Sequence, residues 1–301
     1  MIKKVLILGG SGMIGKSISR TFIKNNIDII NLDIKKTDIN HNKYFQLIDS
    51  YQNILNYLEV IEEVDLIIHL ISLSNPYEDK GFDQEFYNNF LPTINLLRTI
   101  KNFKKKIFFI SSGGTIYGDS KKNKKISENN VINPKSNYGK YKYLLEQVFI
   151  NNKGLNDLKI FRLGNAYGGF ENILSKQGFI SIAINKIYNN EDIILFNKGN
   201  MVRDFIHVSD ISEILYKFCF VKSSEIIFNL SSGEGISILR VLQKISKKLK
   251  KTPKIIHKRD NSFIKYNVLD CAKIEKYVKL EDKIDIDLGL KLTLEEFFER
   301  F

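Results

Sequence analysis

The stretch "KVLILGGSGMIGKSISRTFIKNN" runs from residue 4 to residue 26 and decides the fold. A short apolar run ends in glycines at every third position, Gly9, Gly12 and Gly15, and apolar residues then recur at helical spacing. Such a turn lets the backbone approach a pyrophosphate, and the start of the helix offers free N–H groups to the phosphates. The stretch therefore predicts a dinucleotide-binding unit that begins with a strand, a turn and a helix.

The segments that follow alternate in the same way. Strands are predicted at 4–9, 27–33, 44–49, 64–72, 106–112 and 158–164, and helices at 15–26, 51–63, 86–103 and 139–152. The strands are apolar enough to be covered on both faces, as strands of a parallel sheet are. The alternation predicts an α/β fold with a Rossmann-type doubly wound parallel sheet.

The second half of the chain is less regular. Helical stretches near 175–189, 208–220 and 236–250 alternate with short apolar runs at 193–196 and 226–230. We expect a Rossmann domain over 1–165 and a smaller C-terminal α/β domain over 166–301, with the chain crossing back to the first domain near 210–235.

The composition argues against a membrane-spanning, disulfide-rich or metal-binding protein. No apolar run approaches the roughly 20 residues that span a bilayer, and the two cysteines and four scattered histidines show neither a disulfide framework nor metal-ligand spacing. We expect a cytoplasmic protein with no metal site and no membrane partner. The net charge of +12 fits either solvated lysine faces or a patch for a polyanion such as RNA. Because the lysines lie in short, separated clusters, we expect no nucleic-acid partner.

Two carboxylates follow the second and third predicted strands. Asp33 lies 18 residues after Gly15, where a carboxylate can accept hydrogen bonds from the adenosine ribose and favours NAD over NADP. Lys35 and Lys36 follow this carboxylate, so NADP stays the alternative cofactor. Asp49 is expected either to hydrogen-bond the adenine or to cap the helix that follows.

A tyrosine and a lysine form the second candidate site. Tyr138 and Lys142 are four residues apart, so they share one face of the predicted helix. A tyrosine with its ordinary pKa near 10 is a poor base at neutral pH. A neighbouring ammonium and a positively charged nicotinamide would stabilise the phenolate and lower that pKa. The pair therefore predicts proton transfer next to a nicotinamide cofactor.

With these motifs the chain resembles the extended short-chain dehydrogenase/reductase family, the NAD-dependent sugar-nucleotide epimerases and dehydratases that include UDP-glucose 4-epimerase-like enzymes. The motifs that carry the resemblance are "GGSGMIG" (9–15), Asp33, "LIIHLIS" (66–72), "NFLPTINLL" (89–97), "SSGGTIYG" (111–118), "YGKYK" (138–142), "FRLGNAYG" (161–168) and "VRDFIHVSD" (202–210). The resemblance implies a Rossmann domain that carries NAD and a C-terminal domain that holds a nucleotide-diphosphate sugar. The substrate class that we expect is a UDP-sugar.

The resemblance also implies a role for individual residues. Tyr138 is the expected acid/base on the sugar 4-hydroxyl, and Lys142 the expected ligand of the nicotinamide ribose. Further cofactor contacts are expected at Met13, Ile14 and Leu70. The substrate diphosphate is expected to bind Asn165, Arg203 and Arg259, although the spacing around Arg259 departs from the family by about one residue. The alternatives are a turn residue for Asn165 and a surface ion pair between Arg203 and Asp204.

The stretch "SSGGTIYG" bears on the reaction. Members of the family usually place a serine or threonine four residues before the tyrosine, and this chain has Gly113 there. Ser112 and Thr115 remain as candidate catalytic hydroxyls, and strand alternation favours Thr115. The Asp–Glu pair of the family's dehydratases is missing at Gly114 and Thr115.

By this comparison we expect 4-epimerisation of a UDP-hexose or a UDP-N-acetylhexosamine in polysaccharide biosynthesis. The alternative is a C4 oxidoreductase of the same family, either a 4-keto reductase or a 4-dehydrogenase. The cysteines Cys219 and Cys271 lie in the wrong parts of the chain for reductases that resemble GDP-fucose synthase.

The resemblance further implies a homodimer formed by the helices near 84–102 and 138–152. The apolar face expected for that interface comprises Leu91, Ile94, Leu97, Leu144, Leu145 and Val148. The alternative is that these side chains pack on the sheet of their own chain.

Overall fold

The protein is described by a computed structural model that covers residues 2–76, 78–101, 103, 105–121, 124–152, 157–169, 178–260 and 263–299. The strands are β1 (Lys4–Leu8), β2 (Asp28–Asp33), β3 (Tyr44–Ile48), β4 (Leu66–His69), β5 (Lys106–Ser112), β6 (Asp157–Leu163), β7 (Asn165–Tyr167), β8 (Asp192–Phe196), β9 (Val202–His207), β10 (Ile227–Leu230), β11 (Gly235–Ser237), β12 (Lys254–Lys258) and β13 (Tyr266–Asn267). The α-helices are α1 (Met13–Lys24), α2 (Leu58–Glu63), α3 (Phe82–Glu85), α4 (Leu91–Ile100), α5 (Gly113–Ile116), α6 (Asn137–Ile150), α7 (Phe179–Tyr188), α8 (Val208–Phe218), α9 (Ile238–Leu249), α10 (Ala272–Glu275) and α11 (Ile286–Phe298).

Seven strands form one sheet in the order β10-β6-β5-β4-β1-β2-β3. Every neighbouring pair in it is parallel. This confirms the predicted α/β fold with a Rossmann-type parallel sheet. The last strand to join, β10, comes from the second half of the chain, and α8 packs against α1. The chain therefore returns to the large sheet after leaving it, while the domain boundary at 165 stays a prediction.

Apolar side chains cover both faces of the large sheet. On one face Phe22 of α1 and Phe218 of α8 are fully buried with the strands. On the other face Leu97 of α4 and Leu145 and Phe149 of α6 are buried. Burying such a side chain stabilises the fold by roughly 1.5–3 kcal/mol. Helix α6 is therefore held against the sheet by its own apolar stripe.

The remaining elements form a smaller unit. Strand β9 pairs with β7, β11 and β13, and β8 pairs with β12. Helices α7, α9 and α11 supply a separate apolar core. Among the described residues, no helix combines the length and the apolar character that a membrane crossing requires.

Two predicted helices begin differently from the expectation. The predicted helix at 51–63 starts as a 3₁₀ segment, Tyr51–Tyr57, before α2. The predicted helix at 86–103 is preceded by α3 and passes through a π turn at Phe86–Phe90. Pro92, in the first turn of α4, has no N–H to donate to the preceding turn, which accounts for the widened helix there.

Several elements of the second half were not predicted: β7, β9, β11, β12, β13, α10 and α11. The strands β7, β11 and β13 have at most three residues, too few to show a period of two. The first residues of the helix predicted at 175–189 lie outside the described residues, and α7 begins at Phe179.

Asp204 on β9 ties the smaller unit together, and its replacement by asparagine should destabilise the fold. Its buried carboxylate accepts hydrogen bonds from the backbone N–H groups of Ser232 (3.0 Å), Gly233 (3.1 Å) and Leu269 (3.1 Å). An amide would turn an N–H group toward these donors, so Asp204→Asn should cost about 1–3 kcal/mol in the free energy of unfolding by urea. The exposed Asp282→Asn variant is the control. Equal stability of the two variants would contradict this account of Asp204.

His69 should make stability depend on pH. It is fully buried between the rings of Tyr51, Phe109 and Phe149, and burial lowers its pKa from 6.5 to about 3. Between these values the unfolded chain binds more protons than the folded chain, so stability is present above pH 6.5 and is lost as the pH falls.

Between pH 7 and pH 5 this effect should remove on the order of 2 kcal/mol of unfolding free energy. The His69→Phe variant should lack that part of the dependence. Groups such as Asp210, whose pKa is raised by burial and acts in the opposite direction, are common to both proteins and cancel in the comparison. Identical pH dependence in the two proteins would contradict the prediction.

Candidate active site

The glycine turn lies between β1 and α1 at the carboxyl edge of the large sheet. Gly9 has φ +81°, and a Cβ there would come within 2.9 Å of Ile71 Cγ1. A Cβ on Gly15 would overlap the backbone of Gly10, whereas a Cβ on Gly12 would meet no described atom within 4 Å. Gly9 and Gly15 are thus required by packing, and the backbone at Gly12 borders open space that suits a pyrophosphate.

Asp33 is held rigidly beside this turn. Its Oδ2 accepts a hydrogen bond from Ser11 N (2.9 Å), and its Oδ1 accepts one from Lys35 N (3.0 Å). The carboxylate remains half-exposed at the end of β2. The turn and this carboxylate together fit a dinucleotide with free ribose hydroxyls.

The other predicted cofactor residues surround the same edge. Leu70 follows β4 and its N–H donates to Leu8 O (2.9 Å), and Met13 and Ile14 begin α1. Asp49 accepts hydrogen bonds from Ser50 N (2.6 Å) and from the Tyr57 hydroxyl (2.7 Å), but the alternative that it caps the following helical segment is wrong. Ser50, rather than Asp49, is the N-cap of that segment. Contact of Asp49 with adenine stays a prediction.

Tyr138 and Lys142 stand on successive turns of α6. The helix begins at Asn137 because the Ser136 side chain caps it, accepting from Gly139 N (3.2 Å). The buried Lys142 Nζ donates to Ile110 O (3.2 Å) at the end of β5 and lies over the Phe109 ring. The predicted pair is therefore brought to the edge of the sheet where the glycine turn lies.

The Ser112 hydroxyl acts on the Tyr138 phenol, while the preference for Thr115 as the catalytic hydroxyl stays a prediction. Ser112 and Ser72 act on the phenol as hydrogen-bonding neighbours. Thr115 Oγ1 donates to Ser112 Oγ (2.9 Å) instead. Strand alternation does not extend past Ser112, because the chain turns directly into helix α5, which places Thr115 one turn beyond Ser112. The two hydroxyls are thus bonded to each other, and Ser112 lowers the pKa of the Tyr138 phenol.

Gly113 cannot carry the side chain that the family usually places there. A Cβ at this position would come within 2.6 Å of Leu269 Cδ1 and 2.9 Å of Arg162 O. Real Cβ atoms do not approach backbone so closely. The missing hydroxyl is therefore a packing requirement of this chain, and Ser112 occupies the place beside Tyr138.

Burial shifts the pKa of both members of the pair. Burial raises the pKa of Tyr138 to about 12, and the Ser112 and Ser72 hydroxyls offset only part of that. Burial lowers the pKa of Lys142 to about 8, against the opposing fields of Glu85 and Glu146. The phenol of Tyr138 therefore keeps its proton at neutral pH, and Lys142 is charged there but close to losing its proton.

The residues predicted to hold the substrate diphosphate lie around β7 and β9. Asn165 Nδ2 donates to Asp204 O (2.9 Å), and the Asn165 side chain also faces Gly114. Arg203 donates to Ile264 O (2.7 Å), in the segment that follows Arg259. Arg259 is exposed just beyond β12. Asp204 is fully buried on the face of β9 opposite Arg203, so the alternative of a surface ion pair between them is excluded.

Two residues near the pair were missed from the sequence. Ser72, the last residue of "LIIHLIS", has a hydroxyl beside Tyr138, and its position just after β4 was a usable signal. Glu85 is almost completely buried in α3, where it accepts from Ser74 N (2.8 Å), and its charge acts on both Tyr138 and Lys142. Nothing in the sequence distinguishes Glu85 from a solvent-exposed helical glutamate.

Comparison with known proteins gives matches over nearly the whole chain. A relative from Methanocaldococcus jannaschii named "Putative UDP-glucose 4-epimerase" is 30% identical over 298 residues, covering 95% of this chain and 96% of the relative. A "dTDP-4-dehydro-6-deoxyglucose reductase" from Escherichia coli is 32% identical over 281 residues, covering 86% and 88%. The solved structure of a UDP-glucose 4-epimerase from Thermus thermophilus in complex with NAD superimposes with a TM-score of 0.86 at 23% identity, covering 99% of this chain and 100% of that one.

The model of the NAD dependent epimerase/dehydratase family matches residues 5–230. That range contains the glycine turn, Ser112, Tyr138 and Lys142. The predictions of an enzyme, of NAD as its cofactor and of an epimerase-type relationship are confirmed. The chain belongs to the NAD-dependent epimerase/dehydratase family of sugar-nucleotide enzymes.

Proposed function

We propose that this protein is a nucleotide-sugar 4-epimerase that acts on a UDP-hexose or a UDP-N-acetylhexosamine. The observation that carries the proposal is the group of hydroxyls at Thr115, Ser112 and Tyr138, at the edge of the sheet that holds the dinucleotide turn. Positions 114 and 115 carry no carboxylate that could remove the C5 proton in a dehydration. The Methanocaldococcus jannaschii relative supports the same reaction.

The residues divide the proton chemistry among them. Tyr138 takes the proton of the sugar 4-hydroxyl and later returns it to the 4-keto oxygen. Ser112 donates a hydrogen bond that stabilises the sugar 4-oxygen as it changes between the hydroxyl and the keto form. Lys142 adds a positive charge on the same helix face. Bound NAD supplies the acceptor that takes hydride from C4 and gives it back. Rotation of the 4-keto sugar between these events inverts C4.

Arg203 and Asn165 would hold the diphosphate while the sugar rotates. A guanidinium binds phosphate oxygens through two parallel N–H groups, which fixes the nucleotide end without fixing the sugar. Arg259 is proposed as a further diphosphate ligand. Anchoring at one end is what allows the 4-keto sugar to present its other face.

A second candidate is the reduction of a 4-keto sugar nucleotide. It is favoured by the Escherichia coli reductase, which is as similar to this chain as the epimerase relative is. The same Tyr138 would then protonate the 4-keto oxygen once, and added NADH or NADPH would be consumed in proportion to the product.

We also propose a homodimer formed through α4 and α6. Of the side chains expected in the interface, Leu97 and Leu145 are buried on the sheet of their own chain, as the alternative expected. Leu91 and Leu144 remain 37% and 43% exposed, and the exposed Phe82 and Tyr87 lie just before α4. The exposed side chains supply an apolar surface for a second copy of the chain.

We propose the cytoplasm as the location of the protein.

Product analysis tests the reaction. The NAD-loaded protein, incubated separately with UDP-glucose, UDP-galactose and their N-acetyl forms, should interconvert at least one pair without added reductant, as read by proton NMR of C4 stereochemistry. Tyr138→Phe removes the hydroxyl that carries the proton and should lower kcat by at least about 100-fold.

Failure to interconvert any of the four sugars, with NAD bound, would contradict the epimerase proposal. Stoichiometric loss of absorbance from added NADH or NADPH with a dTDP-4-keto-6-deoxy sugar would instead establish the reductase.

The two hydroxyls should differ in their effect on turnover. Ser112→Ala removes the hydrogen-bond partner of Tyr138 and should lower kcat by roughly 10- to 100-fold with little change in KM. Thr115→Ala should have a smaller effect, because Thr115 acts through Ser112. Ser111→Ala is the matched control, since the Ser111 hydroxyl is buried one residue earlier on the opposite face of β5. A larger loss in Thr115→Ala than in Ser112→Ala would contradict the geometry.

A further inference from the structure

A buried ion pair lies beneath the helix that carries Tyr138. Arg162 on β6 donates to the Glu146 carboxylate through Nε (3.1 Å to Oε1) and Nη2 (2.7 Å to Oε2). Arg162 is 3% exposed and Glu146 is fully buried. Glu146 is on α6, four and eight residues after Lys142 and Tyr138, so the three side chains lie along one face of the helix. The pair therefore holds α6 against the sheet on the helix face that carries Tyr138 and Lys142.

The other edge of the same guanidinium reaches the second catalytic element. Arg162 Nη1 donates to the Tyr117 hydroxyl (2.8 Å) and to Glu128 O (3.3 Å). Tyr117 directly follows the segment that carries Ser112 and Thr115, and its own hydroxyl donates to Asn229 Oδ1 (2.8 Å). Arg162 thus contacts the helix with Tyr138 through one partner and the turn with Ser112 through another.

Stability alone does not account for this arrangement. Taking two charges out of water is costly, and well-packed apolar residues of similar volume often stabilise a core as well or better. Apolar side chains, however, make no hydrogen bonds of fixed direction. A planar guanidinium presents N–H groups on two edges at fixed angles, so it sets the spacing of the two groups that it joins.

We propose that Arg162 is a positioning residue that sets the distance between the Tyr138 phenol and the Ser112 hydroxyl. This role rests on the proposed function, in which those two groups handle the 4-hydroxyl proton. The guanidinium itself touches neither substrate nor cofactor. It acts through Glu146 on α6 and through Tyr117 at the end of α5.

The test removes the two charges of the ion pair together, so that neither is left buried without its partner, and Glu85 remains as the carboxylate whose field acts on Lys142. Arg162→Met with Glu146→Met should fold with a melting temperature near that of the wild type. Its kcat with UDP-glucose and UDP-galactose should fall by roughly 100-fold, since a displacement of about 1 Å between reacting groups has that effect. Its KM should stay within about threefold, because the diphosphate ligands are untouched.

Lys159→Met is the matched control. Lys159 is also a buried cation on β6, 4% exposed, but it belongs to the opposite face of the sheet and donates to Ser223 O (2.8 Å). It should keep wild-type kcat. Tyr117→Phe keeps the ion pair and removes only the hydroxyl that links Arg162 to the turn. This variant should lower kcat by roughly 10-fold. It tests the proposal even where the double variant does not fold.

A spectroscopic measurement separates this proposal from the proposed function. The Tyr138 phenolate is followed by its ultraviolet absorbance, as the difference between each NAD-loaded protein and its Tyr138→Phe form. Loss of the Ser112 hydrogen bond should shift the Tyr138 titration to higher pH in the double variant and in Tyr117→Phe, but not in Lys159→Met.

This shift is measurable whether or not the wild type epimerises a sugar, so absence of turnover in the wild type contradicts the proposed function alone. Wild-type titration in both the double variant and Tyr117→Phe would overturn the positioning role. So would a loss of kcat in Lys159→Met equal to that in the double variant.

Discussion

The parallel alignment of the seven strands determines where the candidate site lies. Because the strands run the same way, the residues at or just after the ends of β1, β4 and β5 lie at one edge: the glycine turn, Ser72 and Ser112. A sheet buried on both faces also requires helices on each side. The apolar stripe of α6 meets that requirement, and in doing so it carries Tyr138 to the same edge. The position of Tyr138 in the candidate site thus follows from the packing of α6 on the sheet.

The pKa values of Tyr138 and Lys142 bear on the proposed proton transfer. Tyr138 keeps its proton well above neutral pH, while Lys142 is charged with a pKa of only about 8. In the proposed mechanism Tyr138 becomes a base only when further positive charge lies beside the phenol, and the nicotinamide ring of NAD would supply such a charge. Ser112, Ser72 and the buried Glu85 set the starting point from which that charge acts. On this account cofactor binding and the activation of Tyr138 are the same event.

The sequence predicted the large sheet well, because its strands are long apolar runs between amphipathic helices. It also singled out Gly9 to Gly15, Asp33, Tyr138 and Lys142, because their pattern depends on local spacing. It missed the short helix α5, which places Thr115 one turn beyond Ser112. It also missed contacts between residues that are distant along the chain. The clash of Gly113 with Leu269, and the side-chain partners of Arg162, involve residues far apart along the chain and leave no periodic signal.

In the proposed epimerisation, the hydrogen removed from C4 returns to C4 within one enzyme molecule. This is tested by incubating the NAD-loaded protein with UDP-galactose and UDP-glucose deuterated at C4, in ordinary water and with an excess of unlabelled NADH. The epimerised product should keep its deuterium at C4, and the NADH should not be consumed. Loss of the deuterium from C4, or its replacement by hydrogen from the added NADH, would contradict the account.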